Sequence, residues 1–234
     1  MIEQLIQNKE ALESRVQAAT RRAGKDLKDI RIIAVSKTKP AEVVQKAYQA
    51  GFRSFGENRV QEILAKQDSE FCRDLQDIEW HLIGHLQTNK VRQIIDKVAL
   101  IHSVDRMDVA NEIQRYAEKK GIVVNALMQV NIAKEDSKSG FYVEEIDSAI
   151  QNFSQLNNIH IQGLMTIAPF RLNPEENRKI FRELYKIYID IDKKKMDNVT
   201  MSILSMGMSN DFEVAIEEGA NMIRVGTFIF GERI

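Results

Sequence analysis

The chain has 234 residues, 44% of them hydrophobic, and a formal net charge of −1 at pH 7. That length and apolar content can bury a full core without disulfide or metal staples. The near-neutral charge excludes the basic excess of a nucleic-acid-binding domain, and Cys72, the only cysteine, excludes an intrachain disulfide.

No apolar run approaches the ~18 residues of a membrane span. The N-terminus mixes charged and apolar residues and lacks the apolar core of a signal peptide. A soluble, cytoplasmic protein is expected, with no nucleic-acid or membrane partner. No Pro/Gly/Ser linker interrupts the chain, so residues 1–234 are read as a single domain.

Residues 2–23 open as a helix. Ile2, Leu5, Leu12, Val16 and Ala19 share one face, and Gly24 ends it. Short β-rich runs then alternate with helical patterns. Strands are predicted at 31–36, 53–57, 79–84, 99–104, 123–131, 161–167, 200–205 and 222–229. Helices are predicted at 41–50, 59–70, 87–97, 106–120, 142–153, 174–195 and 210–218. Gly51, Gly121 and Gly219 each stand between a helix and the next strand, where a positive-φ cap is expected. This alternation predicts an α/β fold, a (β/α)8 TIM barrel preceded by one extra helix. The rival is a doubly wound open sheet, which would show a glycine-rich fingerprint after its first strand; none is present.

The first strand, Arg31-Ile-Ile-Ala-Val-Ser36, stops at Lys37, and Pro40 then turns the chain. Two readings of Lys37 stand. It is either a strand-end side chain that snorkels to solvent, or an amine whose desolvation frees it to attack an aldehyde. A barrel carries its site at the C-terminal ends of its strands. Polar residues gather at those ends here: Glu57-Asn58-Arg59, His85, His102 to Asp105, Asn131, Thr166, and Ser205 to Ser209. Arg224 falls within the last strand, with Gly226 and Thr227 after it.

Barrels often bind phosphate in the loops after strands seven and eight. Ser205, Gly207 and Ser209 offer small residues and hydroxyls there. Asn210 and Glu213 have capping-box spacing, which predicts a helix start. Gly226 permits close backbone approach, and Thr227 adds a hydroxyl. Ordinary capping and packing explain these residues as well as phosphate does. Phosphate opposite a strand-end lysine would suit pyridoxal 5′-phosphate (PLP) or a phosphosugar cleaved by a Schiff-base aldolase. Arg224 is a surface ion-pair partner, a phosphate clamp, or a donor to a pyridine nitrogen, which it would hold unprotonated.

The stretches AVSKTKP (34–40), FGENRVQE (55–62), WHLIGHLQTNK (80–90), HSVD (102–105), VNIAKEDSKSGF (130–141), GLMTIAP (163–169), LSMGMSNDFEVAI (204–216) and IRVGTFIFGER (223–233) resemble the pyridoxal phosphate homeostasis proteins. Their fold is similar to the N-terminal barrel of alanine racemase. The resemblance implies that Lys37 carries PLP as a Schiff base and that Ser205, Gly226 and Thr227 lie near its phosphate. It implies Arg224 beside the pyridine ring and Asn58 at the pocket rim. It further implies a carrier or buffer of PLP rather than an enzyme, acting as a monomer or weak dimer, with apo PLP-enzymes as recipients. The second domain of the racemase, with its tyrosine base, is expected to be absent. The alternative is a single-domain PLP-dependent amino-acid racemase or related enzyme.

His81 and His85 have i, i+4 spacing but lack the glutamate of a zinc-protease helix, so no metal site is expected. His85 is read as a pocket-wall residue. Cys72 is read as structural, and Lys90, Lys134 and Lys138 as solvated loop charges. Lys193-Lys-Lys195 reads as a helix C-terminal cluster.

Overall fold

The computed structural model describes residues 1–135 and 138–232. Asp136 and Ser137 of the VNIAKEDSKSGF run, and Arg233 of the IRVGTFIFGER run, lie outside the described residues.

Eight parallel strands close into a barrel in chain order. They are β1 (Arg31–Val35), β2 (Ser54–Glu57), β3 (Glu79–Leu82), β4 (Leu100–Val104), β5 (Val124–Gln129), β6 (Ile159–Met165), β7 (Val199–Ser205) and β8 (Met222–Val225). The helices are α1 (Ile2–Arg22), α2 (Ala41–Gln49), α3 (Val60–Gln67), α4 (Val91–Ile94), α5 (Met107–Lys120), α6 (Ile146–Phe153), α7 (Arg178–Asp192), α8 (Phe212–Glu217) and α9 (Thr227–Phe230). The (β/α)8 barrel with an extra N-terminal helix is therefore the observed fold.

Ile33, Leu100, Leu127, Met165 and Met222 fill the barrel interior, while a larger cluster packs the helices onto the outside of the strands. In α1, Leu5, Leu12, Val16 and Ala19 are buried as the periodicity predicts. Ile2, which shares their face in sequence, is exposed. The helix lies on α8 and α9. Arg15 pairs with Glu213 at 3.0 Å, Arg22 with Glu217 at 2.6 Å, and the Asn8 amide donates to the Ile229 carbonyl at 2.8 Å. The N-terminal helix thereby anchors the last turn of the chain, which borders the site.

Three local expectations change. The eighth strand ends at Val225 rather than 229, and residues 227–230 form a helical turn. The β-prone Thr-Phe-Ile-Phe run is overridden because Ile229 packs into the core cluster and Asn8 holds its carbonyl. The helix expected at 210 starts at Phe212. Asp211, not Asn210, closes the turn before it by accepting the Met208 N–H at 2.8 Å, while Asn210 donates to the Arg171 carbonyl. The helix expected over 87–97 is a 3-10 turn at Thr88–Lys90 followed by the single turn of α4.

Closure fixes the neighbours of Lys37. β1 pairs in register with β8, Ile33 opposite Arg224 and Ala34 opposite Val225. On its other edge Val35 lies opposite Gly56 of β2. The residues just past these strands, Lys37, Asn58, Gly226 and Thr227, share one arc of the C-terminal rim.

Candidate functional site

A cleft of about 640 Å³ opens at that rim. Lys37, Asn58, Arg224, Gly226 and Thr227 all line it. Val35, Ile83, Ile167 and Met208 supply apolar wall, and His85, Gln129, Lys138, Ser209 and Asp211 add polar groups. Lys37 is half-buried and stands where this cleft meets a second one, lined also by Thr38, Asn58, Arg59, Gln61 and Glu62. Asn58 is set by the backbone across from it. A Cβ on Gly84 would lie 2.4 Å from the Asn58 carbonyl oxygen, so only glycine lets the β3 loop pass this close.

Ser205 is placed differently from the expectation. It is fully buried in the barrel interior and does not line the cleft. Side chains alternate along a strand, and the last residue of β7 faces inward. There its hydroxyl accepts a 2.6 Å hydrogen bond from the Arg224 guanidinium and lies 3.1 Å from His102 Nδ1. His102 Nε2 in turn lies 3.1 Å from His81 Nδ1. Burial pushes both imidazoles below their usual range, His102 furthest, so both are neutral at pH 7. A second guanidinium N–H donates to the Thr166 carbonyl at 2.8 Å. Arg224 is thus held rigidly by neutral acceptors, and burial lowers it to about 10. Arg224 also lines the cleft.

Ser209 occupies the position expected of Ser205. Its hydroxyl oxygen accepts the N–H groups of Gly226 at 3.1 Å and Phe228 at 3.4 Å, which leaves its own proton to donate. The first N–H groups of α9 have no partner within the helix, as at any helix start. Gly226 is not forced by packing: a Cβ there would meet Val35 at an ordinary 3.4 Å. Lys138, expected as a solvated loop charge, is on the cleft wall. His85 also lines the cleft, with Nδ1 held 2.6 Å from Asp105. Lys134 instead pairs with Glu144. Cys72 is buried, and burial pushes its thiol up, away from reactivity.

Sequence reasoning missed a buried polar cluster behind Lys37. Glu57 Oε1 accepts from the Ser36 hydroxyl and from Lys66 Nζ, both at 2.6 Å. Lys66 also donates to the Ser36 carbonyl at 2.9 Å. Burial raises Glu57 to about 7 against the opposing pull of Lys66. Ser36 and Glu57 were visible as polar strand ends. Lys66 gave no signal, because it sits in a helix among surface charges.

Residues 7–234 match the family model described as "Alanine racemase, N-terminal domain". A pyridoxal phosphate homeostasis protein of Aquifex aeolicus is 46% identical over 219 residues, covering 94% of each chain. The chain belongs to the pyridoxal phosphate homeostasis protein family. A solved structure of a relative, PipY of Synechococcus elongatus with PLP bound, superposes with a TM-score of 0.84 at 35% identity, covering 97% of this chain and all of that one. Alanine racemase of Corynebacterium glutamicum shares the fold alone: TM-score 0.72 at 15% identity, covering 99% of this chain and 61% of the racemase. The stretches on which the sequence resemblance rests lie mostly at the strand ends, and most of them contribute residues to the cleft.

Proposed function

We propose that this chain binds PLP in the rim cleft, holds it as a Schiff base on Lys37, and serves PLP homeostasis in the cytoplasm as a carrier or buffer. The single observation that carries this is the convergence of Lys37, Arg224 and the Gly226–Thr227 turn on one cleft with apolar walls. When bound, the cofactor supplies an aldehyde carbon and an aromatic ring that can withdraw electrons.

The residues present suit such a group. Val35, Ile83, Ile167 and Met208 offer apolar surface to a ring. Arg224 offers N–H donors to a pyridine nitrogen and has no lone pair to accept a hydrogen bond from its protonated form, so it disfavours protonation there and weakens the ring as an electron sink. The Ser209 and Thr227 hydroxyls, with the Thr227 N–H at the start of α9, offer donors to a phosphate. The Lys37 amine would hold that aldehyde by condensation with loss of water, which would need no oxidant or reductant. A site that retains the aldehyde while weakening its electron sink favours storage over turnover. Recipients of the cofactor would be apo PLP-enzymes.

The test is spectroscopic and covalent. Purified protein given PLP should turn yellow, and borohydride should fix the label on Lys37. A label elsewhere, or none, would refute the assignment. Sustained racemisation of enantiopure amino acids, abolished in Lys37→Ala, would overturn the carrier reading. Transfer to an apo-enzyme faster than exchange through free cofactor would establish delivery, and transfer at the free-exchange rate would limit the role to buffering.

A further inference from the structure

The residue after Lys37 has a backbone that its side chain disfavours. Thr38 has φ +67°, a region that a β-branched residue rarely enters. Such a conformation persists only where neighbours impose it. Here two neighbours impose it: Thr38 is the third residue of a turn closed by the Lys39 N–H on the Ser36 carbonyl at 3.0 Å, a place that calls for positive φ, and the Thr38 N–H donates to Glu62 Oε1 at 2.6 Å, which fixes the turn from outside. On the other side of Lys37, the Ser36 hydroxyl is bonded to Glu57 and the Ser36 carbonyl to Lys66. Lys66 joins the two anchors, 2.6 Å from Glu57 and 3.4 Å from Glu62. Both residues flanking Lys37 are therefore tied by side chains from β2 and α3.

We infer that Glu62, braced by Lys66 and Glu57, is a positioning residue that holds the Ser36–Lys37–Thr38 turn in the shape that presents the Lys37 amine to the cleft. This rests on the reading of Lys37 as the aldehyde-bearing amine. Glu62 acts on the backbone and touches neither the aldehyde nor the ring. Its side chain is about a quarter exposed and lies outside the core, so its replacement leaves the barrel intact.

The geometry separates this role from a mere charge effect. Glu62→Gln keeps an oxygen to accept the Thr38 N–H, whereas Glu62→Ala does not. Glycine at position 38 enters positive φ at no steric cost and needs no such clamp. The experiment measures PLP affinity by absorbance titration and Schiff-base yield by borohydride labelling, in wild type, Glu62→Ala, Glu62→Gln, Thr38→Gly and the double variant Thr38→Gly with Glu62→Ala. Circular dichroism and thermal melts confirm that each is folded. Glu62→Ala should weaken PLP binding roughly tenfold, the factor expected for loss of a hydrogen bond to a charged group. Glu62→Gln should restore most of it. In the Thr38→Gly background, Glu62→Ala should cost far less than in wild type. Equal losses for Glu62→Ala and Glu62→Gln, or an undiminished Glu62→Ala loss in the Thr38→Gly background, would overturn the positioning role. Wild type that fails to label on Lys37 would instead refute the cofactor reading itself, so the two failures are distinct.

Discussion

Lys66→Met tests the buried cluster through its pH dependence. Glu57 is fully buried and titrates at about 7 in the folded chain, against 4.5 as its ordinary value. Its folded pKa is raised, so the folded state binds the proton more tightly and stability falls as pH rises from about 4.5 to 7. The shift corresponds to about 3 kcal/mol, forgone above pH 7 for the sake of an ionised pair. Lys66 opposes the shift both by charge and by hydrogen bond; Ser36 opposes it weakly, and Glu62 adds to it. Methionine keeps the length of the lysine stem and removes the charge. Glu57 in the variant then stays protonated well above 7.

The cost of the substitution consequently depends on pH. Near pH 6 Glu57 is mostly protonated in both proteins, and the variant loses chiefly the bond from the Lys66 ammonium to the Ser36 carbonyl, about 1.5 kcal/mol. Above pH 7 the wild type gains from ionisation and the variant does not, which adds about 1.4 kcal/mol for each further pH unit. At pH 8 the total difference should be about 3 kcal/mol. Urea denaturation of both proteins at half-unit steps from pH 6 to 9 measures it. A difference that stays flat over this range would refute the placement of Glu57's titration and with it the account of the pair.

Arg224→Gln should weaken PLP retention while borohydride still labels Lys37, as followed by absorbance during dialysis; unchanged retention would leave Arg224 a structural role only. Gly163→Ala should destabilise the barrel by ~4 kcal/mol or more, since φ is +151° and a Cβ would lie 1.7 Å from the Ile203 carbonyl oxygen. A wild-type melt for that variant would disprove the β6–β7 register. Leu12→Ala should cost about 2–5 kcal/mol in chemical denaturation, because Leu12 is fully buried under α1. A negligible cost would mean that α1 does not pack as described.

The barrel was legible because its signals are local and repeated. Each strand is a short β-rich run, and Gly51, Gly121 and Gly219 all carry the positive φ expected between helix and strand. The rim was legible for a geometric reason: parallel strands place all their C-terminal ends on one side, so strand-end chemistry adds up without any knowledge of contacts. Lys37, Asn58, Gly226 and Thr227 lie just past the ends of their strands, where chain position alone specifies location.

What the sequence hid is set by side-chain direction and by distance. Ser205 and Ser209 read alike as small hydroxyl residues after a strand. Their roles part because Ser205 is the last residue of β7 and points inward, while Ser209 follows the Gly207 turn and reaches the α9 backbone. A strand boundary misplaced by one residue exchanges the two faces. Lys66 is nine residues from Glu57 and thirty from Ser36, and in its own helix it looks like a solvated lysine. No periodicity marks a charge buried because two other elements converge on it. The same holds for the Thr38 backbone, since a threonine carries no signal for positive φ; it follows from the turn closed by the Lys39 N–H on the Ser36 carbonyl and from the bond to the Glu62 carboxylate in the first turn of α3. The lysine is thus readable one residue at a time, whereas the apparatus that aims it exists only once β1, β2 and α3 are packed together.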